Sequence, residues 1–174
     1  MWIDPEALNE FEESYVTAVG RALLVAQHFE ESCKDFMKWW IISGALEEGV
    51  AKSVSDICSI SEKLTGLMLG DSIKRLSDGR DITDAEIAVL IRAKDARNYI
   101  AHEAVTAIAF ISRFSRRRPD NLSRFKEAVC ALIEGDNLIS SWGYMFHEQE
   151  ESSAEHLAEY PGRLAKWILA PLEA

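Results

Sequence analysis

Apolar residues recur every three or four positions over most of this 174-residue chain. That spacing places them on one face of an α-helix, and no stretch shows the sustained apolar–polar alternation typical of a β-strand. The first series predicts a helix over residues 5–43, with Asp4 as its cap and Pro5 in its first turn. Its apolar positions are Phe11, Tyr15, Val19, Ala22, Ala26, Phe29, Cys33, Phe36 and Trp40.

Three further helix starts are predicted by capping boxes, in which a Ser or Thr precedes a Glu by three residues. They are Ser59 with Glu62, Thr83 with Glu86, and Ser152 with Glu155. The first opens a helix to about residue 76, in which Gly66 and Gly70 stand one turn apart and indicate close backbone packing. The second opens a helix to about residue 114, and the third opens a C-terminal helix. Pro119 marks the start of another helix, whose apolar positions are Phe125, Val129, Leu132, Ile133, Leu138, Trp142 and Phe146.

Four main helices with short connections predict an all-α fold, an up-down four-helix bundle with an additional C-terminal helix. The length fits one domain, and a hydrophobic content of 48% supports a core. We therefore assign residues 1–150 to the bundle and residues 151–174 to a C-terminal helix that packs on the same domain.

Composition favours a cytoplasmic protein. No apolar run is long enough to span a membrane, and the acidic N-terminus lacks the order of a secretory signal. The three cysteines, Cys33, Cys58 and Cys130, are far apart and odd in number, which favours reduced thiols. No sequence motif indicates a metal site or a cofactor. The histidines that flank the acidic break, His147 and His156, are interpreted as parts of an exposed linker.

The net charge is −10, which argues against a protein that coats nucleic acid non-specifically. Residues 113–126 depart from this pattern, with six basic residues and one acid. This basic segment is either a solvated turn between helices or an anchor for an anionic ligand.

The segment Arg97-Asn98-Tyr99-Ile100-Ala101-His102 groups a fixed cation, an amide and a titratable imidazole within the third main helix. Each residue turns an α-helix by about 100°, so Asn98 and His102 share a face and Arg97 lies about 140° from His102. The long Arg97 side chain could still reach the imidazole across a groove.

These residue types suit the transesterification of RNA. The ribose 2′-hydroxyl supplies the nucleophile, so neither a protein nucleophile nor a metal is required. Arg97 would stabilise charge on the phosphorane and His102 would transfer protons. Asn98 would orient the scissile phosphate or hold the imidazole. The basic residues expected to bind the RNA are Arg113, Arg116, Arg117 and Arg118.

A second Arg and His at similar spacing, Arg21 and His28, lack the polar residue after the Arg and are separated mostly by apolar residues. We interpret this pair as accidental, and His28 as an ordinary helix residue. Glu30 and Lys34 are four apart and suggest surface pairing. Trp39 and Trp40 cannot both face one core, so one of them is a candidate subunit contact.

The sequence Ala96-Arg97-Asn98-Tyr99-Ile100-Ala101-His102-Glu103 resembles the signature of the HEPN superfamily. In that signature an Arg and a polar residue precede a His, with four to six positions between Arg and His. The family motif also lies on the third main helix of a helical bundle. The fold resemblance spans about residues 10–145.

This resemblance implies a metal-independent endoribonuclease that acts as a homodimer, with the helices carrying Arg97 and His102 meeting at one composite site. It also implies RNA as substrate, no cofactor, and a setting such as phage defence or a toxin with a protein antitoxin. Two features depart from the pattern. Toxins paired with nucleotidyltransferase antitoxins often carry a Tyr two places after the His, where this chain has Ala104. The acidic surface would confine RNA to a narrow cleft.

The alternative is a non-catalytic helical module that regulates another protein. In that case the motif would be a dimer-interface stripe, with Arg97 paired to Asp95 or Glu103 of a second copy. An intrachain salt bridge at Arg97 with a buried, hydrogen-bonded His102 would favour the module, whereas accessible His102 rings facing each other across a two-fold cleft would favour the enzyme.

Overall fold

The computed structural model describes residues 8–78, 82–104, 106 and 118–173. Within these ranges the chain forms six α-helices and no strand, which confirms the all-α fold class. A π-helical turn, Ile100–Ala104, continues the fourth helix, and a 3-10 turn, Ala170–Leu172, follows the sixth. The helices are α1 (Glu10–Glu47), α2 (Val54–Leu64), α3 (Leu69–Ser77), α4 (Asp84–Tyr99), α5 (Arg118–Glu148) and α6 (Ala154–Leu169).

Helix α1 is the long central element, and the apolar face predicted for it is confirmed. Its start is set by a capping box in which the Asn9 side chain accepts from the Glu12 amide and Glu12 accepts from the Asn9 amide. The predicted start at Asp4 and Pro5, which themselves lie outside the described residues, is wrong for this helix, because Asn9 has extended backbone and α1 begins at Glu10. The helix continues past Ser43 and ends before Gly49, whose φ of +70° is a left-handed conformation that favours glycine. The buried residues on the predicted face are Tyr15, Val19, Ala22, Ala26, Phe29, Cys33 and Phe36.

The single helix predicted from Ser59 to residue 76 is wrong, because two helices occupy this region. The capping box that forms is Ser53 with Asp56, one and a half turns earlier, so Ser59 and Glu62 lie inside α2. Gly66 follows α2 with φ +83°, a conformation that ends the helix, and α3 begins at Leu69. Gly66 therefore allows the turn after α2, and it is not a point of close contact between helices.

The close helix contact lies instead at Gly135 in α5. A Cβ at this position would overlap the Cβ of Ala93 in α4 and stand 3.1 Å from Cε2 of Phe29 in α1. Glycine thus allows three helices to converge. The predicted start of α5 near Pro119 is confirmed, and its apolar residues Phe125, Val129, Leu132 and Ile133 are buried.

Helix α6 packs on α1 and α5 through both apolar and polar contacts. Ile168 is fully buried. Arg21 of α1 donates to the Trp167 carbonyl at 2.6 Å and lies over the Trp167 ring. The N-cap of α6 is Ser153, whose hydroxyl accepts from the His156 amide, so the predicted cap at Ser152 is off by one residue.

The two neighbouring tryptophans differ in exposure, and the described cysteines form no disulfide. Cys33, Cys58 and Cys130 are all free thiols. Trp40 packs on Phe36 with ring centroids 5.7 Å apart, whereas its neighbour Trp39 is 45% exposed. Among the helices described, none combines the length and the apolar character that a bilayer crossing needs.

Candidate functional site

The Arg97 to His102 segment lies where α4 passes into the π turn. Helix α4 starts with the predicted capping box, in which Thr83 accepts from the Glu86 amide at 3.3 Å and Glu86 accepts from the Thr83 amide at 2.9 Å. Arg97 and Asn98 are in its last turn, and His102 lies in the π turn. The opposite face of the segment is fixed in the core by its buried residues, Ala93, Ala96, Tyr99, Ile100 and Ala104.

The π turn alters the angular relation between Arg97 and His102. Its hydrogen bonds join residues five apart, whereas those of an α-helix join residues four apart. Arg97 and His102 are five apart, and part of the path between them is π-helical. The angle between the Arg97 and His102 side chains around the helix axis is therefore smaller than the 140° expected for a regular α-helix.

Arg97 is held by two acceptors. Its Nη2 forms an ion pair with Oε2 of Glu30 in α1, and its Nη1 donates to Oδ1 of Asn98 at 3.1 Å. The Arg97 side chain remains 26% exposed. The guanidinium is thus oriented at the surface and not enclosed.

Glu30 connects Arg97 to a second cation. Its Oε1 lies 2.7 Å from Nζ of Lys34, as their spacing predicted. Burial opposes ionisation of Glu30, but the hydrogen bond from Lys34 and the charge of Arg97 outweigh it and lower the pKa of this carboxyl. Glu30 is therefore a carboxylate at neutral pH, and it neutralises part of the positive charge at the site.

His102 and Asn98 are exposed. Within the described part of the chain, the His102 imidazole makes no hydrogen bond and no ion pair. Among the described residues, no group occupies either ring nitrogen.

One residue of the basic segment lies beside this site. Nη1 of Arg124 in α5 lies 2.8 Å from Oε2 of Glu103, the neighbour of His102, and the Arg124 guanidinium lies 4.2 Å above the Tyr99 ring. Positive charge from the start of α5 is thus brought next to the π turn. Of the four arginines predicted to bind RNA, Arg113, Arg116 and Arg117 lie outside the described residues, and Arg118 is described only as the first residue of α5.

Sequence reasoning missed a second polar cluster. His28 was interpreted as an ordinary helix residue, yet its Nδ1 lies 2.8 Å from Oδ1 of Asp136, which is fully buried. The hydroxyl of Tyr160 donates to the other oxygen of Asp136 at 2.6 Å. Arg21 binds Trp167 instead, so Arg21 and His28 have separate partners, in agreement with their pairing being accidental. Nothing local in the sequence signals the cluster, because its members are far apart along the chain.

Metal binding has no support in the described ranges, where no group of three or more His, Cys, Asp or Glu side chains could hold an ion. His156 stacks on Tyr160 and His147 packs edge-on against Phe146. The chain matches no protein-family model, no curated protein and no solved structure.

Proposed function

We propose that this protein is a HEPN-type, metal-independent endoribonuclease that cleaves single-stranded RNA by 2′-hydroxyl transesterification. The observation that carries the proposal is the arrangement at the end of α4. An oriented but accessible guanidinium, Arg97, lies one π turn from an exposed and unpartnered imidazole, His102, within the described residues.

In the proposed reaction the ribose 2′-oxygen attacks the adjacent phosphorus, and the bond from phosphorus to the 5′-oxygen breaks. The products are a 2′,3′-cyclic phosphate and a 5′-hydroxyl. Arg97 stabilises the negative charge on the phosphorane oxygens, because its fork of N–H donors matches them. His102 carries the proton taken from the 2′-hydroxyl or given to the 5′-oxygen.

Asn98 orients the Arg97 guanidinium by accepting from Nη1. Its side-chain amide group retains N–H donors for a phosphate oxygen. Of the two roles predicted for Asn98 from sequence, we propose the contact with the phosphate, since no hydrogen bond joins Asn98 to the His102 imidazole within the described residues.

A second copy of the chain would complete the site. One imidazole cannot act as base and acid in the same instant, whereas two His102 rings across a two-fold axis can divide these tasks. Ile91, Asp95, Asn98 and His102 are all exposed and follow the spacing of one helix face. We propose this α4 stripe as the dimer interface, with the two sites side by side at one end of it.

A non-catalytic interaction module is the second candidate. It is favoured by the ion pair between Arg97 and Glu30, because an intrachain partner can make an arginine a structural residue. The exposure of His102 favours the enzyme instead. Under the enzyme proposal, the substrate phosphate competes with Glu30 for one side of the Arg97 guanidinium. When Arg97 turns to the phosphate, Glu30 keeps its ion pair with Lys34.

The test is cleavage of a fluorescent single-stranded RNA by the purified protein in chelator. We expect cyclic-phosphate products from the wild type, and no cleavage of an RNA whose scissile position is 2′-deoxy. His102→Ala and Arg97→Ala should each lower the rate by at least about a hundredfold. His147→Ala removes an exposed histidine elsewhere and should cleave normally. Wild-type-like cleavage by His102→Ala contradicts the enzyme, and a wild type that dimerises without cleaving RNA favours the module.

The proposed cellular setting rests on the resemblance to the HEPN superfamily. We propose a cytoplasmic toxin or phage-defence protein, restrained by a protein antitoxin or activated by infection. Expression of the wild type without its neighbouring genes should arrest growth, whereas the His102→Ala variant should not.

A further inference from the structure

A cavity lies between α1, α5 and α6, away from the Arg97 site. Its volume is about 560 Å³, within the size range of small-molecule sites. His28 lines it from α1, Asn137 and Ser140 from α5, and His156 and Tyr160 from α6. Glu30 follows His28 by two residues on α1, so their side chains leave this helix about 200° apart. The cavity and the Arg97 site are therefore separate.

The polar centre of the cavity is His28 with Asp136. A carboxylate oxygen accepts hydrogen bonds, so Nδ1 of His28 is the donor in their 2.8 Å contact. The second oxygen of Asp136 is occupied by the Tyr160 hydroxyl. Both carboxylate oxygens thus have partners, and no described residue bonds to Nε2 of His28, which leaves this nitrogen for a ligand. The His28 side chain is 61% exposed, so a ligand can reach it.

A buried carboxylate behind an imidazole favours the imidazolium form, which donates from Nε2. The Asp136 carboxylate is enclosed in the protein, whereas the His28 imidazole borders the cavity. When protonated, His28 therefore presents a cation to whatever occupies the space.

The other lining groups are neutral donors and aromatic rings. Ser140, Tyr144 and Ser152 contribute hydroxyls, and none of the lining residues in the described part of the chain is a carboxylate, a lysine or an arginine. The amide nitrogen of Asn137 is taken by the Leu157 carbonyl at 3.2 Å, so this residue braces α6. An anion would meet no negative side chain among the described lining residues.

We propose that this cavity binds a phosphomonoester, with the phosphate at Nε2 of His28 and the organic group against the stacked rings of His156 and Tyr160. These two rings have centroids 5.9 Å apart and an interplanar angle of 24°. A phosphate accepts hydrogen bonds from several directions, which matches hydroxyls on different helices.

Calorimetric titration of the full-length protein tests the proposal, with adenosine 5′-monophosphate, ribose 5-phosphate, inorganic phosphate and adenosine as probes. We expect the two monoesters to bind, inorganic phosphate to bind more weakly and adenosine not to bind. His28→Gln should weaken monoester binding at least about tenfold. His147→Gln is the matched control, since His147 is exposed and does not line the cavity, and it should leave binding unchanged.

Any of the following results would overturn the proposal: no binding of either monoester, equal binding by wild type and His28→Gln, or adenosine binding as tight as that of its monophosphate. Inorganic phosphate binding as tightly as the monoesters would also overturn it, because the organic group would have no part. If His28→Gln does not fold, Ser140→Ala is the second variant to test. Ser140 is half-buried, and within the described residues its side chain makes no hydrogen bond that joins two helices. Loss of RNA cleavage in His102→Ala is a separate result, so the two proposals fail independently.

Discussion

Replacing Gly135 with alanine tests the close approach of α4 and α5 that fixes the segment carrying Arg97. The added methyl group would overlap the Cβ of Ala93, and it would lie 3.1 Å from the Phe29 ring. Neither neighbour can move freely, because Ala93 is attached directly to the α4 backbone and Phe29 is fully buried.

The expected change is a balance of two effects. Overpacking a well-packed core destabilises by about 1–3 kcal/mol, and an overlap with a Cβ lies at the upper end of that range. Alanine in place of glycine inside a helix gains about 1 kcal/mol. We therefore expect Gly135→Ala to lower the free energy of unfolding by about 2 kcal/mol. For a chain of about 150–250 residues this corresponds to a fall in Tm of roughly 4–8 °C.

Gly143 supplies a matched control in the same helix. A Cβ at position 143 meets nothing within 4 Å, so Gly143→Ala should raise stability by about 0.5–1 kcal/mol. Urea unfolding followed by circular dichroism measures both variants. The helix contact is refuted if Gly135→Ala is as stable as Gly143→Ala, since the two glycines would then occupy equivalent space.

Three further predictions concern His28, Glu30 and Thr83. The hydrogen bond to Asp136 raises the pKa of His28 above 6.5, so its contribution to stability is complete below pH 6.5 and is lost as the pH rises through the higher, folded-state value. Urea unfolding at several pH values should show that the free energy of unfolding declines with pH in the wild type and changes less in His28→Gln. The prediction is contradicted if the two proteins show the same dependence on pH. Glu30→Gln removes the negative charge that pairs with the Arg97 guanidinium. It should tighten binding of a non-cleavable RNA by up to about fivefold, measured by fluorescence anisotropy. Weaker binding would mean instead that Glu30 holds Arg97 in its binding position. Thr83→Ala removes the N-cap of α4 and should destabilise by about 1 kcal/mol in thermal unfolding, with an unchanged Tm arguing against the cap.

Local sequence signals predicted most of the helices. The apolar face of α1, the start of α5 near Pro119 and the capping box at Thr83 each depend on residues within a few positions of one another. The failures at Ser59 and Ser152 have a common cause. Several serines near a helix start can form a cap, and the choice between them depends on which backbone conformation the adjoining turn allows.

The partners of the polar side chains were beyond local patterns. Asp136 follows His28 by 108 positions, and Arg97 follows Glu30 by 67. The sequence shows that each of these residues is ionisable, but only the packing of α1 against α4 and α5 decides which pairs meet. The motif residues Arg97, Asn98 and His102 were found because they are neighbours in the chain, and Glu30 was recognised only as a partner of Lys34.

The π turn at Ile100–Ala104 also bears on how this segment tolerates change in length. A π turn contains one residue more than an α turn, so it is the form that a helix takes when it accommodates a single inserted residue. Removing Ala101 should restore a regular α-helix and keep the flanking buried residues in the core, with His102 one position nearer to Arg97. A chain with one residue fewer between the arginine and the histidine could thus keep the same bundle, because the helix absorbs the difference within a single turn.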